Sequence, residues 1–77
     1  MKKTIAIRLV NDVYELVAEC SKTKFAFDVF AKRDRIIVPC SSLMGMFSMN
    51  PAEPFEIEIP DREDAKDFIN YVSKFEI

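Results

Sequence analysis

Two hydrophobic periods take turns along this chain, and the switches between them divide it into seven elements. From Thr4 to Leu9 the period is two. Ile5, Ile7 and Leu9 face one way and Thr4, Ala6 and Arg8 the other, which predicts a strand with one buried face. Asn11 or Asp12 then offers a helix cap, and Val13, Leu16, Val17 and Cys20 follow at the i, i+3, i+4, i+7 spacing of an apolar stripe ending near Lys22. Phe25 to Ala31 is aromatic and β-branched and reads as a second strand, with Phe25, Phe27 and Val29 on one face. The polar break Lys32-Arg33-Asp34-Arg35 predicts a solvated hairpin turn into Ile36-Ile37-Val38, which Pro39 closes because it cannot donate to a ladder. A short apolar helix opens at Ser42 and stops at Asn50-Pro51. Phe55-Glu56-Ile57-Glu58-Ile59 alternates strictly. Pro60-Asp61 ends that strand and caps a last helix striped by Ala65, Phe68, Ile69 and Val72, with Phe75 and Ile77 expected to tuck back onto the domain. The order β-α-β-β-α-β-α, with clean alternation in the strands, implies an α+β fold. Its antiparallel sheet should carry helices on one face and water on the other.

The stretch from Ser41 to Asn50 does not fit a single buried stripe. At ~100° per residue, Leu43, Met44 and Phe47 fall in one helical sector and Met46 and Met49 in another. Either one sector is core and the other meets solvent or a partner, or both are core with loops folded over the outer one. Exposed Met-rich clusters are adaptable binding surfaces, which favours Leu43, Met44 and Phe47 as a contact patch.

Composition narrows the classes. The 77 residues make one domain, residues 1–77, and so small a chain buries only ~60% of its unfolded surface, so nearly every patterned apolar position is needed in the core. A hydrophobic content of 49% and a single Gly exclude a disordered chain, and a net charge of -2 gives no footprint for nucleic acid or an acidic membrane. Arg8, Asn11 and Asp12 interrupt the apolar residues after the basic start, so neither a secretory nor a membrane segment is expected, and the cytoplasm is the expected compartment. Cys20 and Cys40 form no CxxC pair and each lies in an apolar pattern, so buried inert thiols are expected in place of a disulfide or redox pair. With no His and only two Cys, neither a metal site nor a base for a serine nucleophile is in view, and no cofactor or enzymatic activity is expected. Glu56 and Glu58 read as the solvated side of a strand, not as a catalytic pair.

Ser-Leu-Met-Gly-Met-Phe-Ser-Met, from Ser42, resembles the second helix of HPr, the phosphocarrier protein of the bacterial sugar phosphotransferase system. Cys20-Ser21-Lys22 and Phe25 are similar to that family's Ala-Ser-Lys-Phe, with two extra residues before Phe25. The resemblance implies an HPr-like open-faced β-sandwich of four antiparallel strands under three helices, and it places Ser42 on the family's regulatory phosphorylation site. As partners it implies HPr kinase, a transcriptional regulator or other phosphotransferase-system proteins. The chain departs from the family where phosphohistidine chemistry is done. It holds no histidine, and the matching segment is Val10-Asn11-Asp12-Val13-Tyr14. Asp12 alone there can form an acyl phosphate, and no basic residue adjoins it in that segment to neutralise a transferring phosphoryl group. The resemblance therefore points to a regulatory binding protein, as in the HPr-like catabolite-repression protein that lacks the histidine and keeps the serine. An unregulated interaction domain, or a carrier using a group other than histidine, are the alternatives. Ser42 itself has two readings: a helix cap worth ~1 kcal/mol, or a kinase target at free helix N–H groups.

Overall fold

The alternating segments pair as one antiparallel sheet in the computed structural model, which describes residues 1–77. The strands are β1 (Lys2–Ile5), β2 (Phe30–Arg33), β3 (Ile36–Pro39) and β4 (Phe55–Glu58), in the spatial order β1-β4-β2-β3. Two helices connect strands, α1 (Val10–Ser21) between β1 and β2 and α2 (Leu43–Ser48) between β3 and β4, and α3 (Lys66–Ser73) follows β4. The register sorts the two faces. Lys2, Glu58, Phe30 and Pro39 make one cross-strand row and Thr4, Glu56, Lys32 and Ile37 the next, all of them exposed or half-buried. On the other face Ile5, Phe55, Ile57 and Ala31 are buried beneath the helices. This is the α+β open-faced arrangement that the pattern predicts. The core is wholly apolar. Val13, Leu16 and Cys20 enter it from α1, Met46 from α2, and Phe68 and Val72 from α3, with Val17 and Ile69 half-buried at its rim.

The two sheet edges are finished differently. Along β1, Ile5 pairs with Glu76, the Ile77 N–H donates to the Thr4 carbonyl (3.1 Å) and the Ala6 N–H donates to the Phe75 carbonyl (3.2 Å). The Cys40 N–H donates to the Val29 carbonyl at 2.9 Å. Counting along the hairpin in steps of two, Ile36 and Val38 turn their backbone groups toward β2, while Ile37 and Pro39 turn theirs outward. The Pro39 carbonyl accepts from the Ser42 N–H at 3.0 Å.

Several boundaries differ from the sequence expectation, each for a local reason. β1 stops at Ile5, opposite Phe55 where its partner β4 begins, and the Ala6 N–H already faces away from β4 toward the Phe75 carbonyl. The Ile7 N–H turns instead to the Pro51 carbonyl (2.8 Å), so Ile7 stays buried, while Leu9 leaves the core face and is 66% exposed. α1 starts at Val10 with Leu9 at its cap position, so Asn11 and Asp12 lie inside the first turn and neither caps it. Phe25 to Val29 is not strand. Ala26–Asp28 is a 3-10 turn that returns the chain from α1 to the sheet, and it leaves Phe27 88% exposed. Lys32 and Arg33 belong to β2, and the hairpin turn is Asp34-Arg35 alone, with Asp34 in the left-handed region (φ 53°) that Asp tolerates. Asp61 caps nothing. A 3-10 turn over Glu63–Ala65 precedes α3, and Arg62 pairs with Asp64 at 2.9 Å. At the C-terminus Phe75 is half-buried but the Ile77 side chain is exposed, because only its backbone docks.

Candidate functional site: the α1–α2 surface

Ser42 begins α2. Its extended backbone (φ -97°, ψ 110°) makes it the cap residue, its Oγ accepts the Gly45 N–H at 3.1 Å, and its carbonyl accepts the Met46 N–H at 3.0 Å. Gly45 is there for space. A Cβ at that position would come within 3.1 Å of both Ser42 Oγ and Val38 Cβ, tighter than ordinary packing allows. The helix thus sits close on β3 with its capping hydroxyl in place.

The two sectors of α2 separate cleanly. Met46 and Met49 are buried, whereas Met44 is 86% exposed and Phe47 38% exposed, with Leu43 half-buried against the core. Phe47 does not stand alone. Its ring meets Tyr14 of α1 edge-on at 5.6 Å, and Tyr14 is itself half exposed. Leu9 and Val10 at the head of α1 continue the surface, and with Val13, Phe47 and Pro51 they line a shallow groove of about 270 Å³ that also touches Ile7, Arg8, Asn50 and Ala52. Sequence reasoning put Ser42, Leu43, Met44 and Phe47 on this helix but missed Leu9, Val10 and Tyr14. The available signal was the i, i+4 pair Val10 and Tyr14, which widens the apolar stripe of α1 beyond what its core needs.

Arg33 fixes the rim of that groove. From the end of β2 its guanidinium donates to four carbonyls of the loop after α2: Met49, Asn50 (2.9 Å), Glu53 (2.6 Å) and Pro54 (3.1 Å). Asn50 in that loop is in the left-handed region (φ 54°), and Pro51 receives the Ile7 N–H. One planar fork therefore sets a loop that itself anchors the start of the β1–α1 connection. The expectation of a solvated basic turn is corrected here, because Arg33 is bonded to the loop.

Asp12 is half-buried on the other side of the α1 start. Arg8 and Lys74 line the same groove of about 310 Å³ as Asp12, so the absence of cations inferred from its neighbours in sequence does not hold in space. Lys74 is engaged with Glu15 at 3.0 Å, and that ion pair holds the Glu15 carboxyl below its usual range. On the open face of the sheet, Lys32 bonds Glu58 at 2.8 Å and lowers its pKa in the same way, which makes Glu58 half of an ion pair. No group of three or more His, Cys, Asp or Glu side chains converges as a metal site would require, and no helix is long and apolar enough to cross a membrane. Comparison with protein-family models, with curated proteins and with solved structures finds no match to this chain.

Proposed function

We propose that this chain is a regulatory binding module of HPr type, in which a protein partner docks on the apolar surface of α2 and the head of α1 and phosphorylation of Ser42 switches the docking. One observation carries the reading. The helix that Ser42 caps presents Met44 and Phe47 outward, and Phe47 meets the exposed Tyr14 ring and shares a groove with the exposed Leu9 and Val10, apolar surface left outside the core. The element order of the chain and the Ser-Leu-Met-Gly run support the family assignment. A phosphoryl group on Ser42 adds ~2 negative charges beside this surface, repelling a partner that docks by apolar contact and recruiting one that brings arginines.

The unregulated domain is the second reading, and a specific bond favours it: the Ser42 hydroxyl is already occupied as a cap toward Gly45. Intact mass after incubation with ATP and HPr kinase separates the two. One phosphoryl group on the wild type and none on Ser42→Ala supports the switch. An unmodified wild type, together with a lower melting temperature for Ser42→Ala, leaves Ser42 as a cap only.

A further inference from the structure

The turn that returns the chain from α1 to the sheet carries the most exposed large apolar side chain of the protein, Phe27 at 88%. Packing does not account for it. Phe25, two residues earlier, is buried edge-on against Phe68, while the Phe27 ring meets no other aromatic ring. Phe27 instead lines a groove of about 350 Å³ with Ser21, Thr23, Lys24, Ala26 and Ser41. Small-molecule sites occupy ~300–1,000 Å³, and no carboxylate lines this one. The groove of about 310 Å³ beside Asp12 is of similar size, but Asp12 and Glu76 line it and its Lys74 is held by Glu15.

The groups around the Phe27 groove differ in what they still offer a ligand. Lys24 is exposed and pairs with no carboxylate. The N–H groups of Lys24, Ala26, Phe27 and Ser41 donate to no acceptor in the protein. Ser21 Oγ and Thr23 Oγ1 have already committed their protons to the Val17 and Cys20 carbonyls, each at 2.8 Å, so only their lone pairs remain. One part of a matching ligand is therefore anionic, to meet the ammonium and the amides of the turn. A second part brings hydroxyls that donate to Ser21 and Thr23. A third is a flat ring for the face of Phe27. We propose that this groove binds a mononucleotide, with its phosphate on Lys24 and the turn amides, its ribose hydroxyls on Ser21 and Thr23, and its base stacked on Phe27. The inference does not rest on the binding role argued for α2.

The test titrates adenosine monophosphate into the isotope-labelled chain and follows the amide resonances, with adenosine, inorganic phosphate and glucose phosphate run in parallel. Saturable shifts are expected at Ser21, Thr23, Lys24, Ala26, Phe27 and Ser41, with Met44 and Phe47 unmoved. Adenosine and inorganic phosphate should each bind more weakly than the nucleotide that joins them. Phe27 and Lys24 are both exposed, so their variants keep the fold. Phe27→Ala should weaken nucleotide binding by roughly tenfold. Lys24→Gln should weaken it as well and make what remains less sensitive to salt. The proposal is overturned if millimolar nucleotide shifts nothing, or if the saturable shifts lie elsewhere. Inorganic phosphate binding as tightly as the nucleotide, with Phe27→Ala without effect, would leave an anion site only. Glucose phosphate binding as tightly as the nucleotide would remove the base from the reading.

Discussion

Truncating Phe47 and truncating Ile57 should separate surface from core on one scale. Fully burying a large apolar side chain is worth ~1.5–3 kcal/mol. Phe47 retains 38% of its exposure, so about three-fifths of that transfer term is at stake, on the order of 1–2 kcal/mol. The site opens to solvent beside Tyr14, so water enters the space and no enclosed cavity adds to the cost. This is more than the ~0.5 kcal/mol typical of surface changes, because the ring packs on Tyr14. Ile57 has no exposure, and its strand β4 lies between β1 and β2, so Ile57→Ala leaves a closed void at a cost of ~2–5 kcal/mol. A chain of this length has roughly 4–12 kcal/mol of stability in all, so Phe47→Ala stays folded while Ile57→Ala loses a large share. Urea unfolding followed by far-ultraviolet circular dichroism reads both differences as shifts in midpoint, with the slope unchanged if the unfolded states are alike. A Phe47→Ala midpoint as low as that of Ile57→Ala, at equal slope, would make Phe47 a core residue and remove the docking surface.

Three further outcomes are expected. Arg33→Lys keeps the charge but loses the fork, so the loop after α2 should loosen by about 1.5–3 kcal/mol. The Ile7 amide, bonded to Pro51 on that loop, should then exchange faster with deuterium, and unchanged exchange would deny the clamp. Glu58 and Glu15 have folded pKa values below their unfolded ones, so their stabilisation is present above the ordinary glutamate pKa of about 4.3 and is lost as the pH falls through the lower folded values. Thermal melts across this acid range should be less steeply pH-dependent for Glu58→Gln than for wild type, and an identical slope would count against the Lys32 pair. Incubation with phosphoenolpyruvate and enzyme I of the phosphotransferase system should add no acid-labile phosphoryl group, since no imidazole is present to take it.

What the sequence made legible was whatever a single period could encode. Phe55, Ile57 and Ile59 alternate and are all buried, and Val13, Leu16 and Cys20 keep the helical spacing and enter the core. The failures fall where a local pattern answered to a distant partner. Leu9 continues the alternation of Ile5 and Ile7, yet the ladder had already ended at Ile5, opposite Phe55. Phe25, Phe27 and Val29 alternate as well, but Phe25 turns in to meet Phe68 edge-on at 6.2 Å while the chain around it bends. In the site, the two sectors of α2 followed from spacing alone. The reach of Arg33 to carbonyls sixteen or more residues away is a tertiary fact with no trace in local composition.

The outer edge of β3 bears on how this protein behaves in a crowded solution. Ile36 and Ile37 are exposed on a terminal strand, the kind of surface that seeds chain-to-chain stacking. A newcomer strand needs outward-facing donors and acceptors at every second residue. After Ile37 the next such residue is Pro39, which has no N–H and whose carbonyl is already taken by Ser42. The opposite edge is covered by Glu76 and Ile77. Each edge thus withholds part of its backbone from a newcomer, and Pro39→Val, by restoring one outward amide to β3, would leave that edge more open to pairing with a second molecule.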